Sequence, residues 1–336
     1  MAQPSSTSSS EERRALRVDV LVTLAFVVAV LGAAEFGFRT VVPNLSANSR
    51  TLAAAPQRAQ AIREFEGTSV LILGNSISGD GIVAESLQES LGEEVLIAHQ
   101  PADSSVMRDW YYELKNHFYL EQAAPTWVVL PVGDTHPLTR VNQRTEDLMF
   151  SFVSWSDLPT FFDRSEAAAD AQREAMEMPR DLRRGERLEE RLGVILGKAS
   201  ALYGFRGRVQ KRIMVTIAPR YDELRYEMRS AGVATDGTHD VSTDPLWTEL
   251  VAEITVSNST SVLVIAMPSE PLESALSGED LAIIEQYGWH VIAPGLGDAW
   301  SDEDRPDGLH LSHEAADRFT ALLAPELDAV ISAGAE

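Results

Sequence analysis

The stretch LILGNSISGDG, residues 71–81, carries an apolar run that stops dead at a glycine. Leu71, Ile72 and Leu73 read as the end of a buried strand. Gly74, Asn75 and Ser76 then turn the chain, and Ser78 or Asp80 stands where it can cap a following helix. A serine at the rim of a sheet is either turn chemistry or a nucleophile. The second reading needs a base elsewhere in the chain and donors for an oxyanion.

Outward from this stretch, strands and helices alternate. TSVLIL (68–73) is a strand, IVAESLQESLG (82–92) has helical spacing ending at a glycine, and EVLIAH (94–99) is a second strand. SVMRDWYYELKNHFYL (105–120) is an aromatic-rich helix and TWVVLPV (126–132) a third strand. A βαβαβ order with continuous apolar strands implies a parallel sheet covered on both faces. The rhythm breaks over residues 141–245, where charged helices such as 164–178 and 181–205 replace strands, and 234–246 is a polar, turn-rich loop. This block reads as a helical insertion near the mouth of the sheet. The pattern resumes with a helix at LWTELVAEITV, a strand at SVLVIAM (261–267), a helix over 279–287, a strand at WHVIAP (289–294) and a final helix over 312–332.

The amino-terminal segment has a different character. Residues 1–17 read as a polar, disordered tail that ends in Arg13, Arg14 and Arg17. Residues 18–38 are apolar apart from Asp19 and Glu35, and their length suits one passage through a bilayer. The arginines place the tail in the cytoplasm and the rest of the chain outside it. A cleaved signal peptide, cut near Glu35, is the competing reading. Residues 39–66 read as a stalk, helical from about Thr51, and residues 67–333 as the folded α/β domain.

Composition narrows the function. A net charge of -23 repels nucleic acid and argues against phosphate-tracking partners. The chain has no cysteine, which excludes disulfides and thiolate metal sites. His136 and Asp134 could suggest a metal, but the other histidines form no ligand cluster in the sequence, and no cofactor is expected. GLGD (295–298) is a turn, since nothing like GxxxxGK[ST] occurs.

The base that Ser76 requires is found in DRPDGLHLSHEA, residues 304–315. Asp307 and His310 are three apart, a spacing that sets a carboxylate beside an imidazole and fixes its tautomer. Ser312 caps the helix that follows, with Glu314 in its first turn. A strand ending in Gly-x-Ser near the start of a domain, and Asp-x-x-His before its last helix, resembles the SGNH/GDSL hydrolase superfamily over about residues 67–333. The anchor, the GNS form of the serine motif and the DGLHL ending are most similar to its membrane-anchored branch, which includes relatives of alginate O-acetylation factors and of the teichoic-acid D-alanine transfer protein.

That resemblance implies a flavodoxin-like three-layer α/β/α sandwich, with Ser76 as nucleophile, His310 as general base and Asp307 as its orienting partner. It also implies acyl transfer from an ester to water or to a sugar hydroxyl. The superfamily's oxyanion donors are the serine amide, a glycine amide after the second strand and an asparagine side chain after the third. Here the second position reads AHQPADSS, so Ala102 or Asp103 would donate, because Pro101 has no N–H. The third reads LPVGDTH, with Asp134 in the asparagine's place, and Asn75 is the nearby side chain that could compensate.

The first reading is therefore a single-pass, extracytoplasmic serine acyltransferase or esterase acting on a cell-surface glycan, with a membrane-bound acyl donor protein as a partner of the insertion. The second is a catalytically impaired binding or scaffold protein on the same fold, suggested by the aberrant oxyanion segments. A third, a secreted lipase, needs an apolar substrate groove that the charged insertion does not announce. Trp110, Tyr111 and Tyr112 are either core or a stacking surface for a sugar ring.

Overall fold

In the computed structural model, β1 (Thr68–Gly74) is buried from Ser69 onward, as a strand covered on both faces must be. The structure describes residues 8–41, 47–133, 138–139, 152–164, 191–200, 245–268, 276–295, 300–301, 303–306 and 309–334. Four more strands join β1: β2 (Val95–Pro101), β3 (Trp127–Val132), β4 (Ser261–Ala266) and β5 (His290–Ile292). Their order is β2-β1-β3-β4-β5 and every pairing is parallel. This is the flavodoxin-like order, whose topological switch point lies between β1 and β3.

Strand residues alternate between two cores. Leu71, Leu73, Val128, Leu130, Val132, Val262 and Val264 face one layer of helices: α3 (Ala55–Glu64), α6 (Met107–Glu113), α7 (Leu246–Ser257) and α8 (Gly278–Tyr287). Val70, Ile72, Val129, Leu263 and Ile265 face the other: α4 (Ser76–Gly81), α5 (Ala84–Leu91) and α9 (His313–Ala333). The α/β class and the helix-covered parallel sheet expected from the strand pattern are the observed architecture. α6 runs on as a π-helical stretch over Leu114–Tyr119.

Three details differ from the sequence reading. First, the stretch taken as a stalk folds into α2 (Ala47–Ala53) and α3, and Ala55, Ala59 and Ile62 of α3 are buried. Ala59 and Ile62 belong to the main core, so the packed domain begins ahead of residue 67. Their spacing of three on a ten-residue helix was enough to bury one narrow face, and the polar remainder hid it. Second, α1 (Ser8–Val41) is one continuous 34-residue helix that takes in part of the expected tail. Within it Leu21–Thr40 is long and apolar enough to cross a membrane. Third, neither Ser78 nor Asp80 caps a helix; Asn75 does, and the helix starts at Ser76.

Most of the insertion lies outside the described residues. Its described parts, 152–164 and 191–200, contain no strand. Phe152, Val153, Leu158, Phe161, Phe162 and Val194 are buried in the same core as α6. Lys115 of the π-helical stretch pairs with Asp157, and the Asn116 amide donates to the Phe152 carbonyl at 2.8 Å.

Candidate active site

Ser76 stands two residues past the end of β1, at the switch point, because the chain must leave the strand through a glycine. A Cβ on Gly74 would lie 1.9 Å from Ser78 Oγ and 2.6 Å from Ser78 Cβ. Only a bare backbone lets the first turn of α4 fold back this tightly. The Asn75 carboxamide oxygen then accepts from the Ile77 amide at 2.9 Å, and the Asn75 carbonyl accepts from Ser78 Oγ and from the Gly79 amide, each at 2.9 Å. Asn75 thus closes the open end of α4 and leaves Ser76, half-buried, as its first residue.

His310 arrives from the opposite end of the domain. Buried Leu311 anchors the chain beside α4, where a Cβ on Gly81 would lie 3.6 Å from its Cδ1. Ser312 caps α9 through Ala315, and its own amide donates to the Asp304 carbonyl at 2.7 Å. The Asp304 carboxylate accepts from the Ser301 amide at 2.8 Å and pairs with Arg318 at 3.0 Å, and Arg318 lies 4.3 Å over the Trp300 ring. The Ser301 amide and Arg318 hold this carboxyl below the usual carboxylate range. Sequence reasoning missed this clip. Its signal was the Ser-x-x-Asp spacing of residues 301–304, which closes a turn on itself.

The two segments meet. Ser76 Oγ and His310 Nε2 are 2.9 Å apart across 234 positions of sequence. That is hydrogen-bond distance for a base accepting a hydroxyl proton. Asp307, the expected orienting carboxylate, lies outside the described residues, as do Asp134 and His136.

The loop after β2 is docked onto the serine turn. The Gly74 carbonyl accepts from the Ala102 amide at 2.8 Å and from Ser105 Oγ at 2.9 Å, and the Trp110 indole donates to Ser105 Oγ at 2.9 Å. The Ala102 amide, expected as an oxyanion donor, is engaged by the Gly74 carbonyl, and the Ala102 side chain is fully buried. Ser104, two residues on, has φ 64°, the left-handed backbone that favours glycine. At Asn75 the carboxamide oxygen is engaged by the helix cap, while Nδ2 is buried with no hydrogen-bond partner among the described residues. Gly133, the residue that follows β3, passes beside Ile77 of α4: a Cβ on it would lie 3.7 Å from Ile77 Cδ1.

Trp110, Tyr111 and Tyr112 are core residues. Each is at least nine-tenths buried, and Tyr112 packs edge-on to Tyr111 and Phe161. Beneath them burial pushes the Asp109 carboxyl up to about 6 and the Glu113 carboxyl up to about 8. Among the described residues no group of three histidine or acidic side chains could hold a metal ion.

No family model matches the chain, and no curated protein matches it. Among solved structures it is similar to a lipase/acylhydrolase from Enterococcus faecalis, with 14% identity and a TM-score of 0.33, over 78% of this chain and 96% of that one.

Proposed function

We propose that this chain is a membrane-anchored serine acyl-transfer enzyme, an esterase or O-acyltransferase, working outside the cytoplasm on an acylated cell-surface glycan. The observation that supports it is the 2.9 Å approach of Ser76 Oγ to His310 Nε2 at the switch point of a flavodoxin-ordered sheet. In this reading Ser76 Oγ attacks the acyl carbonyl while its proton passes to His310 Nε2. The tetrahedral intermediate expels the alcohol, which takes that proton, and an ester on Ser76 remains. Water or a sugar hydroxyl then attacks the ester, with His310 again accepting the proton, and Ser76 Oγ leaves as it takes that proton back from His310. Asp307, three residues ahead of His310, would hold the far ring nitrogen. The Ser76 amide, first in α4 and without an intrahelical acceptor, is the donor for the oxyanion. For the esterase the acyl group would be the glycan's own; for the transferase it would come from a membrane-bound donor protein.

Labelling of the full chain by a fluorophosphonate tests this. Wild type is expected to label, Ser76→Ala to lose the label, and His310→Ala to label on the order of 100-fold more slowly. Equal labelling of wild type and Ser76→Ala refutes the nucleophile. The scaffold reading is favoured by one observation, the engagement of the Ala102 amide by Gly74. It is the reading that stands if cells carrying Ser76→Ala keep full surface acylation.

A further inference from the structure

The helix at 191–199 has its polarity reversed. Gly193, Val194 and Gly197 are buried, whereas Leu192, Ile195 and Leu196 are 45%, 37% and 41% exposed. Spaced by three and four, they lie on one face, where a helix at a water-facing surface would carry polar residues. Trp155, 55% exposed, extends the apolar patch, with Lys198 5.6 Å over its ring. The other face is fixed to the body of the domain: Val194 is in the core and Arg191 lies 5.2 Å over Phe162.

The carboxyl end of this helix is tied to α1. The Arg39 guanidinium donates to the Ala199 carbonyl at 3.2 Å, and the Ser200 hydroxyl donates to the Glu35 carboxylate at 2.8 Å. Glu35 and Arg39 are themselves paired at 2.7 Å. The apolar segment Leu21–Thr40 has 20 residues, about 30 Å of helix and the thickness of a bilayer's hydrocarbon core. Glu35 is five residues from its end, about 7 Å inside that limit. Helices that lie along a membrane interface sit about 5–10 Å deep. The tie to Glu35 therefore holds the carboxyl end of helix 191–199 at interfacial depth. Tryptophan and basic residues whose stems reach toward headgroups are the expected flanks there.

We infer that Leu192, Ile195, Leu196 and Trp155 form a lipid-facing platform that seats the domain on the bilayer surface beside the carboxyl end of α1. The platform rests on α1 crossing the membrane and is independent of any chemistry at Ser76. It makes the domain a body of fixed orientation on the membrane instead of one swinging on a tether.

The absence of cysteine allows a direct test. Ile195→Cys, Leu31→Cys and Val256→Cys, at exposed positions, are introduced singly into the full chain and labelled with an environment-sensitive fluorophore. The proteins are reconstituted in phosphatidylcholine vesicles carrying lipids brominated at defined depths. Leu31, near the middle of the apolar segment, is expected to lose emission to deep bromines and Val256 to aqueous iodide. Ile195 is expected to lose emission to bromines near the headgroup and to resist iodide. The proposal is overturned if Ile195 behaves like Val256, or if neither quencher reaches it because protein covers it. If Leu31 is untouched by brominated lipid, the membrane-spanning premise fails and the platform fails with it.

Discussion

Replacing Gly74 with alanine tests whether the serine turn is built as described. The new Cβ would sit 1.9 Å from Ser78 Oγ and 2.6 Å from Ser78 Cβ, while its next neighbour, Pro131 Cγ, is at an ordinary 3.6 Å. Ser78 is fully buried and cannot swing into solvent. Overpacking of this kind costs about 1–3 kcal/mol. Displacing Ser78 also breaks its bond to the Asn75 carbonyl, for about 1 kcal/mol more. Because Cβ and Oγ both clash, Ser78→Ala would not relieve the strain, but Ser78→Gly removes both atoms. Alone, Ser78→Gly costs about 1.5–2 kcal/mol, from the lost hydrogen bond and a glycine in a helix. The double variant should be no less stable than Ser78→Gly alone, so the two changes couple by the full cost of Gly74→Ala, about 2–4 kcal/mol. Urea unfolding of the detergent-solubilised full chain, followed by tryptophan fluorescence, measures this. Fluorophosphonate labelling of Gly74→Ala should fall on the order of 100-fold, since a 1 Å displacement of a reacting atom costs about that much. Additive stabilities, or wild-type labelling by Gly74→Ala, would refute the turn geometry.

Two further outcomes follow from the interior. Glu113 is held protonated by burial, with its pKa raised to about 8 against about 4.3 in an unfolded chain. A raised carboxyl contributes stability below the unfolded value and loses it as pH rises toward the folded one. Wild-type stability should therefore fall between about pH 5 and 8 by up to ~1.4 kcal/mol per pH unit more than that of Glu113→Gln. Parallel slopes in unfolding titrations of the two proteins would count against it. Ile62→Ala should cost about 2–5 kcal/mol, as for any aliphatic core truncation, because α3 is part of the packed domain. A loss under about 0.5 kcal/mol would return that segment to the role of a spacer.

The docked β2–α6 loop bears on chemistry as well as on stability. The Gly74 carbonyl draws in both the Ala102 amide and the Ser105 hydroxyl, and Ser105 in turn receives the Trp110 indole. This chain of bonds fixes the strand end that presents Ser76. It also takes from the site the amide that the sequence pattern offers to an oxyanion. One missing donor corresponds to about 100- to 1,000-fold in rate. In the proposed reaction the same donor would serve both the formation and the breakdown of an ester on Ser76, so its loss would slow the two steps alike.

The sheet could be read because its strands are apolar on both faces: Val70 to Leu73, Val128 to Leu130 and Val262 to Ile265 leave no polar alternation to misassign. Ser76 and His310 were legible for a different reason. Each sits directly beside an element boundary marked by turn and cap residues, Gly74-Asn75 on one side and Ser312 on the other. What escaped the sequence was burial decided by few residues. Ala59 and Ile62 make a core face on an otherwise polar helix, and Ala102 gives its amide to a carbonyl 28 positions earlier. Helix 191–199 escaped for the inverse reason. Leucine and isoleucine at helical spacing normally mark the buried side, and only the observed burial of Gly193, Val194 and Gly197 shows that this helix is turned the other way. A sequence pattern gives the axis along which a helix is amphipathic. Which solvent each face meets depends on the environment, and a bond from Ser200 to a carboxylate within an apolar, exposed helix changes that environment from water to lipid.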